Sequence, residues 1–178
     1  MFGNVAPQWV RQMGALAAIL LCGVLTSGCA QLGGSIQSQV RDVQTNQPIS
    51  GAAVLGVWTK RVGFPGLDHT ELVGNREAET DAEGRFTLER PAGIGTGEEW
   101  VAVYKFGYVA WSNIYIFQVP RGRPDPTVPP QIQLDPFPPG ASHDEHIRFI
   151  YKAISSSVSR RGDRHRFDEA IRREREGR

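Results

Sequence analysis

From Ile36 to Asp135 the chain has no sustained run of apolar residues at helical spacing. It offers short segments rich in Val, Ile, Thr and aromatics, each closed by Gly, Pro, Asn or Asp, and this pattern points to extended chain. Strands are expected near 36–41, 52–59, 70–80, 84–89, 98–105, 108–117 and 130–134. Short strands so closely spaced argue for two packed antiparallel sheets with Greek-key-like connections. The expected fold class is all-β, a seven-stranded antiparallel β-sandwich followed by a C-terminal α-helix. The 20 Gly and 12 Pro suit strands joined by turns. Cys22 and Cys29 both precede this segment, so no disulfide and no cysteine metal site stabilises it.

The turns carry their own chemistry. Asp42-Val-Gln-Thr-Asn-Gln-Pro48 places Asx and Thr side chains where they bond local backbone, and Pro48 presets a bend. In Thr80-Asp81-Ala-Glu-Gly84-Arg-Phe86, Asp81 is placed to bond the backbone ahead of it, and Gly84 to take the positive φ that closes a hairpin. Taken in order, Val40-x-Asp42-x-x-Thr45-x-x-Pro48-Ile49-x-Gly51-Ala52-x-Val54, Thr80-Asp81-x-x-Gly84-x-Phe86, Val101-x-Val103 and Gly107-Tyr108 resemble the carboxypeptidase regulatory-like domain. The resemblance spans residues 36–135 and implies a prealbumin-like, or transthyretin-like, sandwich. In that family the domain accompanies metallocarboxypeptidases without holding their zinc, or serves secreted bacterial proteins as a structural or adhesive module. The insert from Arg61 to Thr70 is longer than the family's tight version.

The first thirty residues read as an address. Arg11 lies in a mostly polar start, and the apolar run Gly14–Leu25 follows. That run is well short of the ~20 residues that span a bilayer as a helix. With small residues after it, the segment has the form of a secretory signal. Thr26-Ser-Gly-Cys29 resembles the lipobox of bacterial lipoproteins, with Thr26 standing where Leu is commonest. The resemblance implies that Cys29 receives a diacylglyceryl group and becomes the acylated first residue. An ordinary signal peptide cut near Ala30, or a retained anchor, is the alternative. Ala30, in place of Asp, implies transfer to the outer membrane in a Gram-negative cell, facing the periplasm or the exterior. The expected organisation is a signal over 1–28, a lipidated tether over 29–35, a sandwich over 36–135, and a Pro-rich linker with a charged helix over 136–178.

Catalytic chemistry is sought without success. A formal charge of +1 argues against nucleic acid as a partner. Among His69, His143, His146 and His165 only His143 and His146 are close in sequence. They lack the Glu of an HExxH pattern and an evident third ligand, so solvated helix-start histidines are expected and no metal or other cofactor. A small metal-dependent hydrolase centred on these two is the competing reading. There is no Gly-x-Ser-x-Gly elbow and no phosphate loop. Arg161-Gly162-Asp163 spells an integrin-type tripeptide of a kind that charged tails produce by chance.

Two features remain. Trp100, Ala102, Tyr104 and Phe106 alternate with Val101 and Val103, so both faces of that strand are apolar and the second needs a cover. With Trp111 and Tyr115 nearby, Trp100 and Tyr104 form a candidate binding face for an envelope protein, glycan or peptidoglycan, unless the chain's own helix packs there. After Pro136-Phe-Pro-Pro-Gly140, Ser142-His-Asp-Glu145 reads as a capping box. Ile147, Ile150, Tyr151, Ile154 and Val158 then form the apolar stripe of a helix over 143–158. Residues 159–178 alternate Arg with acids, and a solvated, partly frayed helix is expected there, open to anionic lipid head groups.

Overall fold

The computed structural model describes residues 34–92, 97–119, 122–154 and 164–176. The signal segment, Cys29, the tether up to residue 33, and residues 155–163 with the Arg-Gly-Asp tripeptide lie outside the described residues.

The described chain is mostly β, in two sheets with two helices. Its strands are β1 (Ser35–Asp42), β2 (Ala53–Val62), β3 (His69–Glu79), β4 (Arg85–Glu89), β5 (Glu99–Tyr104), β6 (Trp111–Ser112) and β7 (Gln131–Leu134). One sheet has the order β4-β1-β7 and the other β3-β2-β5-β6. Alternation does the sorting. Ile36 and Val40 of β1, Phe86 and Leu88 of β4, and Ile132 and Leu134 of β7 all point one way. They meet Val54, Trp58, Val101, Val103 and Trp111 of the other sheet in a single buried cluster.

β2 and β5 are buried on both faces. Their second face, Ala53, Leu55, Val57, Ala102 and Tyr104, lies under helices α1 (His143–Ala153) and α2 (His165–Glu176). The helices contribute Ile147, Ile150, Ile154, Phe167 and Ile171 to a second buried cluster. Ser142 caps α1 as its sequence implies, its hydroxyl accepting from the Glu145 N–H at 3.3 Å. The N-terminus of α2 takes its cap from the sheet, because the Glu77 carboxylate of β3 accepts from the N–H groups of Arg166 (3.0 Å) and Phe167 (2.8 Å).

Three expectations need correction. The strands are not all antiparallel, since β7 pairs with β1 in parallel, Gln39 opposite Gln131 and Asp42 opposite Leu134. β1 and β7 are not consecutive, so no tight turn fixes their relative direction. The Pro-rich connection from β6 enters this sheet beside Gln39, where the Gln39 N–H donates to the Pro130 carbonyl at 3.1 Å, and β7 runs on from there toward Asp42. The strand expected over 108–117 is reduced to Trp111–Ser112. There the Ser112 hydroxyl accepts from the N–H groups of Ile114 (3.2 Å) and Tyr115 (3.5 Å), turning the chain away. Asn113 continues the pairing with its side chain, accepting from the Val101 N–H at 2.8 Å and donating to the Glu99 carbonyl at 2.8 Å. Finally, the charged tail is not a solvated, frayed helix. α2 is docked, with Phe167, Ile171 and Glu174 buried.

Gly84 shows how tightly a turn is set. Its φ is +73°, and an added Cβ would collide with the Val40 carbonyl and lie 3.1 Å from the Ile49 nitrogen. Gly84→Ala should therefore lower unfolding stability by about 2 kcal/mol, from backbone strain and lost ladder geometry together. Urea denaturation of the two proteins measures it, and an unchanged midpoint would contradict the account.

Candidate functional site

Two arrangements stand out where the helices and the Pro-rich segment meet the β6 edge. The first is a buried polar knot. Glu174 is 1% exposed, on the α2 face that also carries Phe167 and Ile171. Its Oε1 accepts from His143 Nδ1 and, at 3.1 Å, from His146 Nδ1, while its Oε2 accepts from the Tyr104 hydroxyl. His146 is fully buried, and its Nε2 accepts from the Ala110 N–H at 2.9 Å. That bond fixes the tautomer. Nε2 must offer a lone pair, so Nδ1 carries the proton and donates to Glu174.

Aromatic rings enclose the knot. Phe137 stacks on His143 with centroids 4.5 Å apart, and Phe117 and Phe137 approach His146 at 5.0 and 4.9 Å. Burial pushes the His146 imidazole below its ordinary value, against the Glu174 bonds that raise it. Burial also pushes the Glu174 carboxyl up, but the bonds from Tyr104, His143 and His146 outweigh this and hold it below the ordinary carboxylate range. Burial and the neighbouring carboxylate raise the Tyr104 phenol, so it stays a donor.

This corrects the reading of His146 as a solvated helix-start histidine; it sits in the core because α1 turns that side of its first turn onto the sheet. It also bears on the hydrolase reading. Both ring nitrogens of His146 are committed to hydrogen bonds, so the two histidines do not present a pair of lone pairs to an ion. Among the described residues no group of three His, Cys, Asp or Glu side chains is arranged to hold a metal.

The second arrangement is an open cleft of about 490 Å³ beside the knot. Trp111, Phe117, Phe137 and the prolines at 136, 138 and 139 form its apolar walls, and Gln44, Gln118, Gln133, Asp135 and Arg123 its polar ones. Arg123 stacks over Trp111 at 5.1 Å and donates through Nε to the Ser112 carbonyl at 2.6 Å. Among the described residues its two terminal nitrogens have no protein partner. Burial holds its guanidinium below the ordinary value.

The four aromatics expected to form one binding face are divided. Trp111 pairs with Val103 across β5 and β6, and directly opposed residues share a face, so Trp111 enters the core between the sheets. Tyr104, one residue further along, faces the helices and is fully buried. Trp100 and Tyr115 meet edge to face at 6.0 Å, half-buried, with Lys152 of α1 over the Tyr115 ring. The chain's own helices cover this face. Sequence reasoning passed over Glu174 and Arg123. Glu174 had a signal, since it falls three residues after Ile171 and seven after Phe167, a stripe position that is ordinarily apolar. Arg123 had none.

No protein-family model matches the chain, and no curated protein does. Among solved structures, a 9R-lipoxygenase from Cyanothece PCC8801 is similar over 62% of this chain and 18% of its own, at 17% identity and a TM-score of 0.30. The chain thus spans less than a fifth of that protein's length.

The knot makes stability fall with acid. His146 is depressed in the folded state, so below its ordinary 6.5 the unfolded chain binds the proton first. Its contribution is complete above that value and is lost as pH drops toward the folded one. Glu174, also depressed, adds a further loss as pH falls through its ordinary 4.5. Between pH 7.5 and 5.5 the melting temperature should fall in the native chain and fall less in His146→Gln, which retains an acceptor and a donor without titrating. Parallel melting curves in the two proteins would refute this assignment.

Proposed function

We propose that the chain is a non-enzymatic, lipid-anchored protein of the bacterial envelope, whose sandwich, of the carboxypeptidase regulatory-like type, acts as a binding module. The anchor is Cys29, read from Thr26-Ser-Gly-Cys29-Ala30, with outer-membrane placement as the expectation. The observation that carries the binding reading is Arg123. A guanidinium stacked on Trp111, its terminal nitrogens without a partner among the described residues, in a cleft of mixed apolar and polar walls, suits a carboxylate. Asp135 and three glutamine amides in the same walls suit a ligand that also carries amide or ammonium donors. A short peptide bearing both charges meets this description, and in the envelope such peptides are attached to cell-wall glycan. Among the described residues of the cleft, none is arranged as an activated nucleophile or an acid–base pair. His146 beside it is locked by the Ala110 N–H.

Two measurements test the two halves separately. Cells fed a palmitate analogue should label the native chain and not Cys29→Ala; label persisting in the variant removes the anchor. Insoluble cell-wall material should retain the native protein, and Arg123→Gln should bind about tenfold more weakly, the loss expected for a hydrogen bond to a charged group. Equal retention would remove the cleft from the reading.

A further inference from the structure

The β2–β3 hairpin ends in two apolar side chains held out in solvent. Phe64 is 80% and Leu67 83% exposed. Their exposure is built rather than accidental. Phe64-Pro65-Gly66-Leu67 closes a tight turn, in which the Leu67 N–H donates to the Phe64 carbonyl at 2.9 Å and Gly66 has φ +89°. Pro then Gly at the two central positions is the sequence such a turn requires. Gly63 is equally constrained, with φ +120° and room for a Cβ denied by the Leu67 carbonyl at 2.8 Å. Arg61 and Asp68 pair across the base, Nε to Oδ2 at 2.6 Å.

The hairpin also extends past the first residue of β5, and the described chain before β5 follows it as far as Gly97, which lies against Thr59 and Lys60. β5 begins at Glu99, opposite Trp58, while β2 continues four residues further to Val62. At ~3.3 Å per residue the tip lies about 13 Å past that level. The described chain starts at this same end. Arg90 donates from its backbone to the Gly34 carbonyl at 3.1 Å and from its side chain to Glu99 at 2.5 Å, and Glu99 in turn accepts from the Trp58 indole at 2.8 Å. Ser35, Arg90, Glu99 and Trp58 thus share one level. Cys29 precedes Ser35 by six residues. Six extended residues span at most about 20 Å, which bounds the distance from Cys29 to Ser35.

We infer that Phe64 and Leu67 form a second membrane contact, inserting into the lipid interface beside the acylated Cys29 and fixing the orientation of the domain on the bilayer. The inference rests on the lipid-anchor reading for its biological setting, but the contact itself needs no acyl chain. The occupant is a lipid surface because the chain outside the described residues leaves from this end and, on that reading, is drawn to a bilayer. The contact is apolar in character. Lys60 pairs with Glu71 at 3.4 Å and Arg61 with Asp68, so the flanking cations are balanced by acids and supply no net basic patch. Two large apolar side chains, each mostly exposed, give a worthwhile partition into the interface without anchoring a protein alone.

The test uses the full chain carrying Cys29→Ala, so that no acyl group contributes, in sedimentation with phosphatidylcholine vesicles. Adding Phe64→Ser and Leu67→Ser should weaken partition about tenfold, with the melting temperature unchanged because neither side chain is packed. Val43→Ser removes an exposed apolar side chain at the far end of β1, where the same argument predicts no effect. Equal partition with and without the tip residues overturns the inference. So does an equal loss from Val43→Ser, or binding that appears only with anionic phosphatidylglycerol and ignores the tip. The mass of the native chain reports acylation at Cys29 independently. Tip-dependent partition together with a native chain whose mass shows no acyl group supports the contact and sinks the anchor; an acylated native chain with an inert tip does the reverse.

Discussion

The constraint on which the structure depends is that β2 and β5 are apolar on both faces. A sandwich of two sheets buries only one of them. Val54, Trp58, Val101 and Val103 are satisfied by the other sheet, but Leu55, Val57, Ala102 and Tyr104 would face water if the chain stopped at residue 135. The helices are therefore part of the domain and not an appendage to it. A Leu or Val side chain taken out of water stabilises by about 1.5–3 kcal/mol, so the second cluster is comparable in kind to the first.

That cover creates a difficulty which Glu174 resolves. Tyr104 brings a hydroxyl beneath the helices, and His146 brings an imidazole. Each is costly to bury without a partner. A single carboxylate accepting from Tyr104, His143 and His146 satisfies them together, while the Ala110 N–H, at the start of the β6 edge, closes the remaining ring nitrogen. The carboxylate in turn is kept ionised in the core by those donors. Among the described residues no buried side-chain nitrogen or oxygen lacks a partner. The knot thereby joins both helices to the edge of the sheet, and it explains why the last turn of a strongly charged helix is docked when its composition suggests a solvated tail.

What the sequence makes legible follows from the range of the interactions involved. The turns at Asp42 and Asp81 and most strand positions are local matters and were readable. β2 runs three residues past its expected end and the strand expected over 108–117 shrinks to two residues, but Asp42 Oδ1 accepts from Gln44 and Thr45, and Asp81 Oδ1 from Glu83 and Arg85. The double apolar face of β5 and the capping Ser142 were readable for the same reason. Strand direction was not, because nothing local distinguishes a β7 that returns antiparallel from one that returns parallel. The docking of α2 was hidden by its charge. Phe167, Ala170 and Ile171 among arginines and glutamates look solvated until Glu77 caps the helix and Glu174 finds its donors, both from far along the chain. The cleft was least legible of all, since Gln44, Arg123 and Phe137 come from three separate segments.

The parallel pairing of β1 with β7 also gives the molecule a direction. β1 rises from Ser35, at the end shared with the hairpin tip, to Asp42, and its eight residues cover about 27 Å. β7 runs the same way, so the chain leaves it beside Asp42, where the Val43 N–H donates to the Leu134 carbonyl and the Val109 N–H to the Asp135 carbonyl. Pro136, Phe137 and the prolines after it are delivered to that far end, where they wall the cleft together with Gln44. An antiparallel β7 would have released the same residues beside Ser35, against the proposed bilayer. In the proposed orientation, with the tip at Phe64 and Leu67 against a bilayer, the cleft lies at the opposite end of the sandwich and points away from the lipid.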